Sequence, residues 1–360
     1  MENGRYNFDR QTDRQTDRQE LSRNDTKMIQ GLAVLAMVVL HLFDRLEYTD
    51  LYKPLLHFMG RPVIFYFAQL SDFCVMGFAF CSGYGLYKNY KESNSDEQYM
   101  KTRLKSLWIL LVNYWIILIG FTIISVLVGN ADNMPGSFKE FLGNFTTVNV
   151  TYNGAWWYLF IYIVLVLVSP ILFKCCDNIP LVPLSIISVL FYISAYYVRF
   201  HMSNVGWLLG KYGVFGMTLF EFLVGVICCK QKWISRTKMI VYKIPRIYRV
   251  IGALIILVGL LIGHTLIIPS LLIAPATGLM IIFGFSLWNK PQWICNIFEF
   301  LGKHSTNIWL IHMFFYLYIF KELVFMLHYP LLILGEMLAL CIICSFIVNG
   351  IIKFIRPVLK

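Results

Sequence analysis

Four ionisable side chains, His41, Asp72, Glu221 and His312, fall inside long apolar runs. Carrying such a group into hydrocarbon is expensive, so an ionisable residue there marks a place where chemistry or a polar path is needed. Among these types imidazole is the one that is neutral yet ready to take up a proton near pH 7. Each of the four also reads as a hydrogen-bonding residue between packed helices. Asp44 follows His41 by three residues, where a carboxylate either orients the ring or faces water at a helix end. A basic group, Lys101, Arg103 and Lys105, precedes the third apolar run, and Ser82-Gly-Tyr84 lies near the end of the second. Trp156 and Trp157 open a later run, as an interfacial aromatic belt or as a surface on which a sugar ring stacks. Glu221 receives no role from its position.

The elements that must position these groups follow from composition. Hydrophobic residues make up 58% of the 360 and charged residues 14%, against about 25% charged in a soluble domain. The apolar runs approach the ~20 residues that cross a hydrocarbon core of about 30 Å. An all-α polytopic membrane protein is expected, a bundle of about ten transmembrane helices. The spans are read near 28–43, 62–87, 106–129, 156–174, 181–198, 212–229, 250–268, 270–287, 305–323 and 330–352. The second is interrupted by Asp72, Ser82 and Gly83, and the seventh and eighth form a tight hairpin around Pro269.

Lys and Arg gather in alternate loops, at 88–105 and 230–249, while the loop 130–155 carries Lys139 as its one basic residue. That asymmetry predicts cytoplasmic amino and carboxy termini. It also explains the net charge of +11 without a nucleic-acid partner; membrane lipid is the surrounding medium. The nine cysteines make no disulfide framework: Cys74, Cys81, Cys341 and Cys344 sit in spans, and Cys175, Cys176, Cys228 and Cys229 at expected cytoplasmic span ends. Cys341-x-x-Cys344 lacks the further ligands zinc requires, so no metal is expected. Residues 1–27, with the repeat DRQT-DRQT-DRQE, are too polar to bury a core and read as a disordered cytoplasmic tail before a transmembrane domain over 28–355. The first span lacks a small-residue cleavage site and reads as a retained anchor. Asn144-Phe-Thr and Asn149-Val-Thr match the glycosylation pattern on an outer loop.

Four segments carry a resemblance. TKMIQGLAVLAMVVLHLF resembles the first helix of the acyltransferase 3 family of integral membrane acyltransferases, in which a basic residue precedes a functional histidine by eleven positions. FAFCSGYGLY resembles the family's Ser-Gly-Tyr motif, WWYLFIYIVLVLVSPIL its aromatic-led span, and STNIWLIHMFF its late Ser-to-His segment. They run in the family's order over roughly 25–355. Three positions depart from the pattern. Gln30 stands eleven before His41, with Lys27 one turn earlier able to snorkel in its place. Arg103 is followed by Ser106 where the family has Arg-x-x-Arg. Met76 occupies an often acidic position, with Asp72 one turn before it.

The resemblance implies an O-acyltransferase that takes an acetyl or short acyl group from cytoplasmic acetyl-CoA to a carbohydrate or glycolipid hydroxyl outside. His41 would be the general base or an acyl carrier, with Asp44 behind it. Lys27, Lys101, Arg103 and Lys105 would hold CoA, and Ser82, Tyr84, Trp156 and Trp157 the acceptor. His41 is expected about 21 Å up its helix, near the outer end, at ~1.5 Å per residue. His312, counted from a span beginning at 305, is expected only about 10 Å up, lining the donor channel rather than meeting His41. The competing reading is a transporter or flippase for a polysaccharide or lipid-linked sugar; the two halves of the chain show no convincing internal repeat to support it.

Overall fold

The computed structural model describes residues 20–266 and 272–357. The described part is almost wholly helical. In chain order it comprises α1 (Arg23–Phe43), α2 (Val63–Leu70), α3 (Cys74–Glu92), α4 (Asp96–Leu127), α5 (Phe138–Phe145), α6 (Trp157–Asn178), α7 (Leu181–His201) and α8 (Trp207–Lys230). There follow α9 (Trp233–Val241), α10 (Arg246–Leu266), α11 (Ala274–Leu287), α12 (Gln292–Met313), α13 (Lys321–Phe325) and α14 (Pro330–Ile355). One sheet occurs among the described residues, the two-residue strands β1 (His57–Phe58) and β2 (Arg61–Pro62), in the loop after α1.

Helix boundaries carry their local chemistry. Ser95 caps α4 by accepting the Gln98 amide, and Ser137 with Glu140 forms a capping box on α5. These side chains satisfy amides that the first turn of a helix leaves unpaired. Pro330 occupies the first turn of α14, where its missing N–H removes nothing.

Among the described residues, eight helical segments are long and apolar enough to cross a bilayer: α1, α2 with α3, α4, α6, α7, α8, α10 and α14. The protein is therefore a helical, multi-pass membrane protein. Two of the expected spans take other forms. The run near 270–287 is the shorter α11, of 14 residues, and the run near 305–323 is the end of α12 followed by a π-helical turn, Phe314–Tyr318. The second span breaks at Asp72, where Ser71–Phe73 is a 3-10 turn, and not at Ser82 and Gly83, which lie inside α3. The hairpin around Pro269 and the DRQT repeat up to Gln19 fall outside the described residues. Of the expected tail, Glu20 is placed, its carboxylate accepting from Tyr84 Oη and from the Ser235 amide and hydroxyl, and α1 starts at Arg23.

The chain divides into two compact units. One comprises Met1–Ala33, Gln69–Lys91 and Leu172–Gly302, the other Val34–Ala68, Glu92–Ile171 and Lys303–Lys360. In the first, Leu21, Ile29, Met76, Phe80, Tyr84, Cys228, Ile234 and Ile282 form a buried core. Helix pairs there touch backbone to backbone through glycine. A Cβ on Gly31 would lie 2.0 Å from Phe298 O, and one on Gly302 would lie 1.9 Å from Lys27 O. Each Cβ tilts toward its own helix N-terminus. Each meets the carbonyl four residues before the facing glycine, so α1 and α12 run parallel. Gly83 against Phe222 O and Gly225 against Phe80 O pair α3 and α8 in the same way.

In the second unit the aromatic residues Tyr114, Trp156 and Phe314 are wholly or almost wholly buried, together with Phe43, Leu159 and Ile311. Leu, Ile and Phe on the outer faces of α4, α7, α10 and α14 are left exposed, as lipid-facing residues must be.

A candidate active site of stacked rings

Three rings stack in the second unit. His41, one turn from the end of α1, lies 5.2 Å from His312 between ring centroids, with the planes 28° apart. Tyr316 lies 6.2 Å from His41 and 6.0 Å from His312, tilted by 16° and 18°. The expected height of His312 is corrected by this geometry. α12 starts at Gln292 rather than near 305, so His312 stands about 30 Å along it, level with His41 at about 27 Å along the parallel α1. Heights counted from a misplaced helix start were wrong by the length of the missing turns.

The two histidines have different surroundings. His41 is half-buried and makes no hydrogen bond among the described residues. His312 is fully buried, and its Nδ1 donates to Trp309 O at 2.8 Å. A carbonyl can only accept, so Nδ1 carries the proton and Nε2 presents its lone pair. Among the described residues that Nε2 has no partner, nor has the hydroxyl of the fully buried Tyr316. A buried polar atom left unpaired typically costs about 1–3 kcal/mol. Two such atoms in one stack make these rings the candidate site.

The end of α12 is tied down by side chains around Asn153–Trp156 and by its own Trp309. Trp156 Nε1 and Asn153 Nδ2 both donate to Leu310 O, at 2.9 and 3.0 Å, and Trp309 Nε1 donates to Ala155 O at 2.9 Å. Past Met313 the helix widens: the Ile319 amide donates to Phe314 O, five residues back. Such π-turns are frequent at functional sites, and this one carries Tyr316.

Below the stack a second polar cluster joins three helices. Asn113 Nδ2 on α4 donates to Asn307 Oδ1 at 2.7 Å. Asn307 Nδ2 donates in turn to Ser345 Oγ at 2.9 Å and Asn349 Oδ1 at 3.1 Å on α14. His304 Nδ1 also bonds Ser345 Oγ, at 2.8 Å. We expect Asn307→Leu to lower thermal stability in detergent by about 1–3 kcal/mol, because the Asn113 amide is left buried without its acceptor. The double variant Asn113→Leu/Asn307→Leu should recover much of that loss; equal or deeper destabilisation would contradict the pairing.

The remaining sequence candidates are distributed unevenly. Asp44 is beside the stack, but it makes no hydrogen bond to His41 and its Oδ1 has no partner among the described residues. Burial pushes its carboxyl up to about 6, with Glu47 adding to the rise and Arg45 opposing it. A carboxyl raised on folding is harmless to stability while protonated below about pH 4, and destabilises as pH rises through 6. Asp44→Asn should therefore match the wild type in thermal stability at pH 4 and exceed it at pH 7.5. The opposite order at pH 7.5 would show a stabilising charge interaction.

Trp156 is fully buried, holds Leu310, and packs edge-on against Tyr114 at 4.7 Å. It is a structural anchor, neither interfacial belt nor sugar platform, because its ring has no free face. Trp157 is half-buried, edge-on to Tyr158. Lys101 and Lys105 are exposed on the first turns of α4, and Arg103 lies over the Tyr99 ring at 5.7 Å with its Nε unpaired. Ser106 bonds back to Thr102 O.

Ser82, Tyr84 and Lys27 belong to the first unit. Ser82 Oγ donates to Phe78 O within α3, the Tyr84 hydroxyl donates to Glu20, and Lys27 presents its carbonyl to Gly302. Tyr84 is 1% exposed, so its ring is core and its hydroxyl is already used. Asp72 and Glu221 are both buried there, and Glu221 Oε2 has no partner among the described residues. The glycosylation reading of Asn144 is corrected: the residue is buried, and its Nδ2 donates to Glu140 O and Thr151 Oγ1. No group of three metal-ligating side chains occurs among the described residues.

Residue reading missed Tyr316, Trp309 and the Asn113–Asn307 pair. Tyr316 had a signal, since it follows His312 by four residues and shares its helix face.

A family model described as an acyltransferase domain matches residues 26–350 of the chain. The chain belongs to the acyltransferase 3 family. The match takes in the whole ring stack, and it includes Gln30 and Ser106, the two departures from the family's basic positions. No curated protein and no solved structure matches the chain. Membership in the acyltransferase 3 family makes the protein a membrane acyltransferase, and the stacked rings of α1 and α12 are its candidate active site.

Proposed function

We propose that the protein moves an acetyl or short acyl group from cytoplasmic acetyl-CoA to a hydroxyl of an extracytoplasmic polysaccharide or glycolipid. His41 acts as the general base or as the acyl carrier. The observation that carries this reading is the stack of His41 on His312, in which one imidazole is half-open and the other is buried with a fixed tautomer. An open imidazole can take the proton of an attacking alcohol or be acylated itself.

Both termini lie in the cytoplasm in this reading, which puts Lys101, Arg103 and Lys105 at the inner end of α4 as partners for the CoA phosphates. Lys27 is a further basic group at the inner start of α1. The thioester arm then rises between helices to the rings near the outer face, past His312. Asp44 stands at the acceptor side, with Trp157 the aromatic residue left to meet a sugar. Ser82, Tyr84 and Trp156 contribute through packing.

The test compares surface glycans and glycolipids from cells with and without the full chain by mass spectrometry. One additional acyl group on a defined sugar, present only with the protein, is expected. Identical glycan and glycolipid masses in both would defeat the reading.

A further inference from the structure

We propose that the Tyr316 hydroxyl donates the hydrogen bond that holds the thioester carbonyl oxygen as it becomes an oxyanion, making Tyr316 a catalytic residue. The inference rests on the acyl-transfer reading above and adds a group that neither the motifs nor the family match identifies.

The first argument is the hydroxyl itself. Tyr84, Tyr99 and Tyr114 are buried to the same degree, and each hydroxyl has a protein partner: Glu20, Ser169 Oγ and Asn144 O. Tyr316 is equally buried, and its hydroxyl, like that of the buried Tyr52, has none among the described residues; of these two, Tyr316 is the one stacked on the histidines. Its neighbours Phe314 and Phe315 fill the same region with plain phenyl rings, Phe314 stacking on Phe121 at 4.3 Å. A phenylalanine at 316 would pack as well without burying an unpaired donor. The hydroxyl is retained against its desolvation, which points to a partner that arrives with the substrate.

The second argument is placement. Tyr316 is stacked with both imidazoles, so its hydroxyl and His312 Nε2, each without a hydrogen-bond partner among the described residues, belong to one stack of rings. Acyl transfer needs that pairing of opposites: a base for the alcohol proton and a donor for the carbonyl oxygen. The charged and titratable neighbours of Tyr316 are His41, His312, Asp44, Arg45, Tyr48 and Tyr318. Arg45, the cation among them, favours build-up of negative charge at that end of the stack.

The step balances. The acceptor oxygen bonds to the thioester carbon as its proton passes to an imidazole nitrogen. The carbonyl π pair moves onto oxygen, which accepts the Tyr316 hydrogen bond. When the adduct collapses the C–S bond breaks, and the leaving thiolate takes the proton from the imidazolium. Ester and free thiol are formed, and both side chains return unchanged. Catalytic hydrogen bonds of this kind are often long or unformed before the reacting complex and tighten within it.

The experiment uses membranes bearing the full chain and acetyl-CoA labelled in the acetyl group, following label into carbohydrate. Tyr316→Phe keeps the ring and removes the donor. We expect kcat to fall about 100- to 1000-fold with the KM for acetyl-CoA little changed, and with normal elution of the purified variant in detergent. Transfer by Tyr316→Phe at the wild-type rate, while His41→Ala is inactive, overturns the role of Tyr316 alone. Absence of transfer by the wild type overturns the acyl-transfer reading itself. Should Tyr316→Phe fail to accumulate, difluorotyrosine at 316 keeps the shape with a more acidic hydroxyl. The alkaline limb of its pH–rate profile should then move to lower pH, and a limb identical to the wild type overturns the proposal.

Discussion

His41→Ala abolishes transfer of label from acetyl-CoA to carbohydrate in membranes, while the protein accumulates to its normal level. Removal of a general base is expected to lower the rate about 10²- to 10⁴-fold. The fold should tolerate the change, because His41 is half-buried and makes no hydrogen bond that would be lost. His41→Gln, which fills more of the space without a basic ring nitrogen, should be as inactive as the alanine variant. If the imidazole carries the acyl group, labelled donor without acceptor should leave hydroxylamine-labile label on the wild type and none on either variant. Transfer at an undiminished rate in His41→Ala would remove this ring from the mechanism, however well the stack is formed.

Gly302→Ala lowers activity to a similar extent although residue 302 makes no contact with substrate. The added Cβ would sit 1.9 Å from the Lys27 carbonyl oxygen and 2.7 Å from its carbon, both backbone atoms that cannot rotate away. α1 and α12 must separate by an ångström or more to admit it. Ten residues past Gly302 on α12 and fourteen past Lys27 on α1, His312 and His41 hold their 5.2 Å stack, which the separation is expected to loosen. A misplacement of about 1 Å can cost about 100-fold in rate. Gly31→Ala, whose Cβ would lie 2.0 Å from Phe298 O, should behave likewise. Gly252→Ala, at a position with open space around the Cβ, is the control and should retain wild-type rate. Normal activity in both Gly31→Ala and Gly302→Ala would show that the two helices do not set the spacing of the rings.

Much of this could be read along the chain. Apolar runs of bilayer length, Lys and Arg gathered in alternate loops, and a histidine close to the end of the first run are local features. They require no knowledge of what packs against what. Hydropathy located the eight segments that, among the described residues, are long and apolar enough to cross a membrane, and the motif order named the family that the match over 26–350 supports. The same local signal misplaced the start of the His312 helix. Gln292–His304 carries enough polar residues to look like a loop, yet it is the first part of α12, which packs on α1 through glycines and bonds α14 through His304 and Asn307.

Within the site, residue type suggested an imidazole at 41 from sequence alone, because an ionisable group in hydrocarbon demands a reason. What only the tertiary structure decided was its company: His312 at the same height, Tyr316 beside both with an unpaired hydroxyl, and Trp156 spent on holding Leu310 rather than on a sugar. These depend on the parallel register of two helices far apart in the chain. In the first unit those two helices meet by backbone-to-backbone contact at Gly31 and Gly302, whose missing side chains leave no mark in hydropathy, spacing or charge.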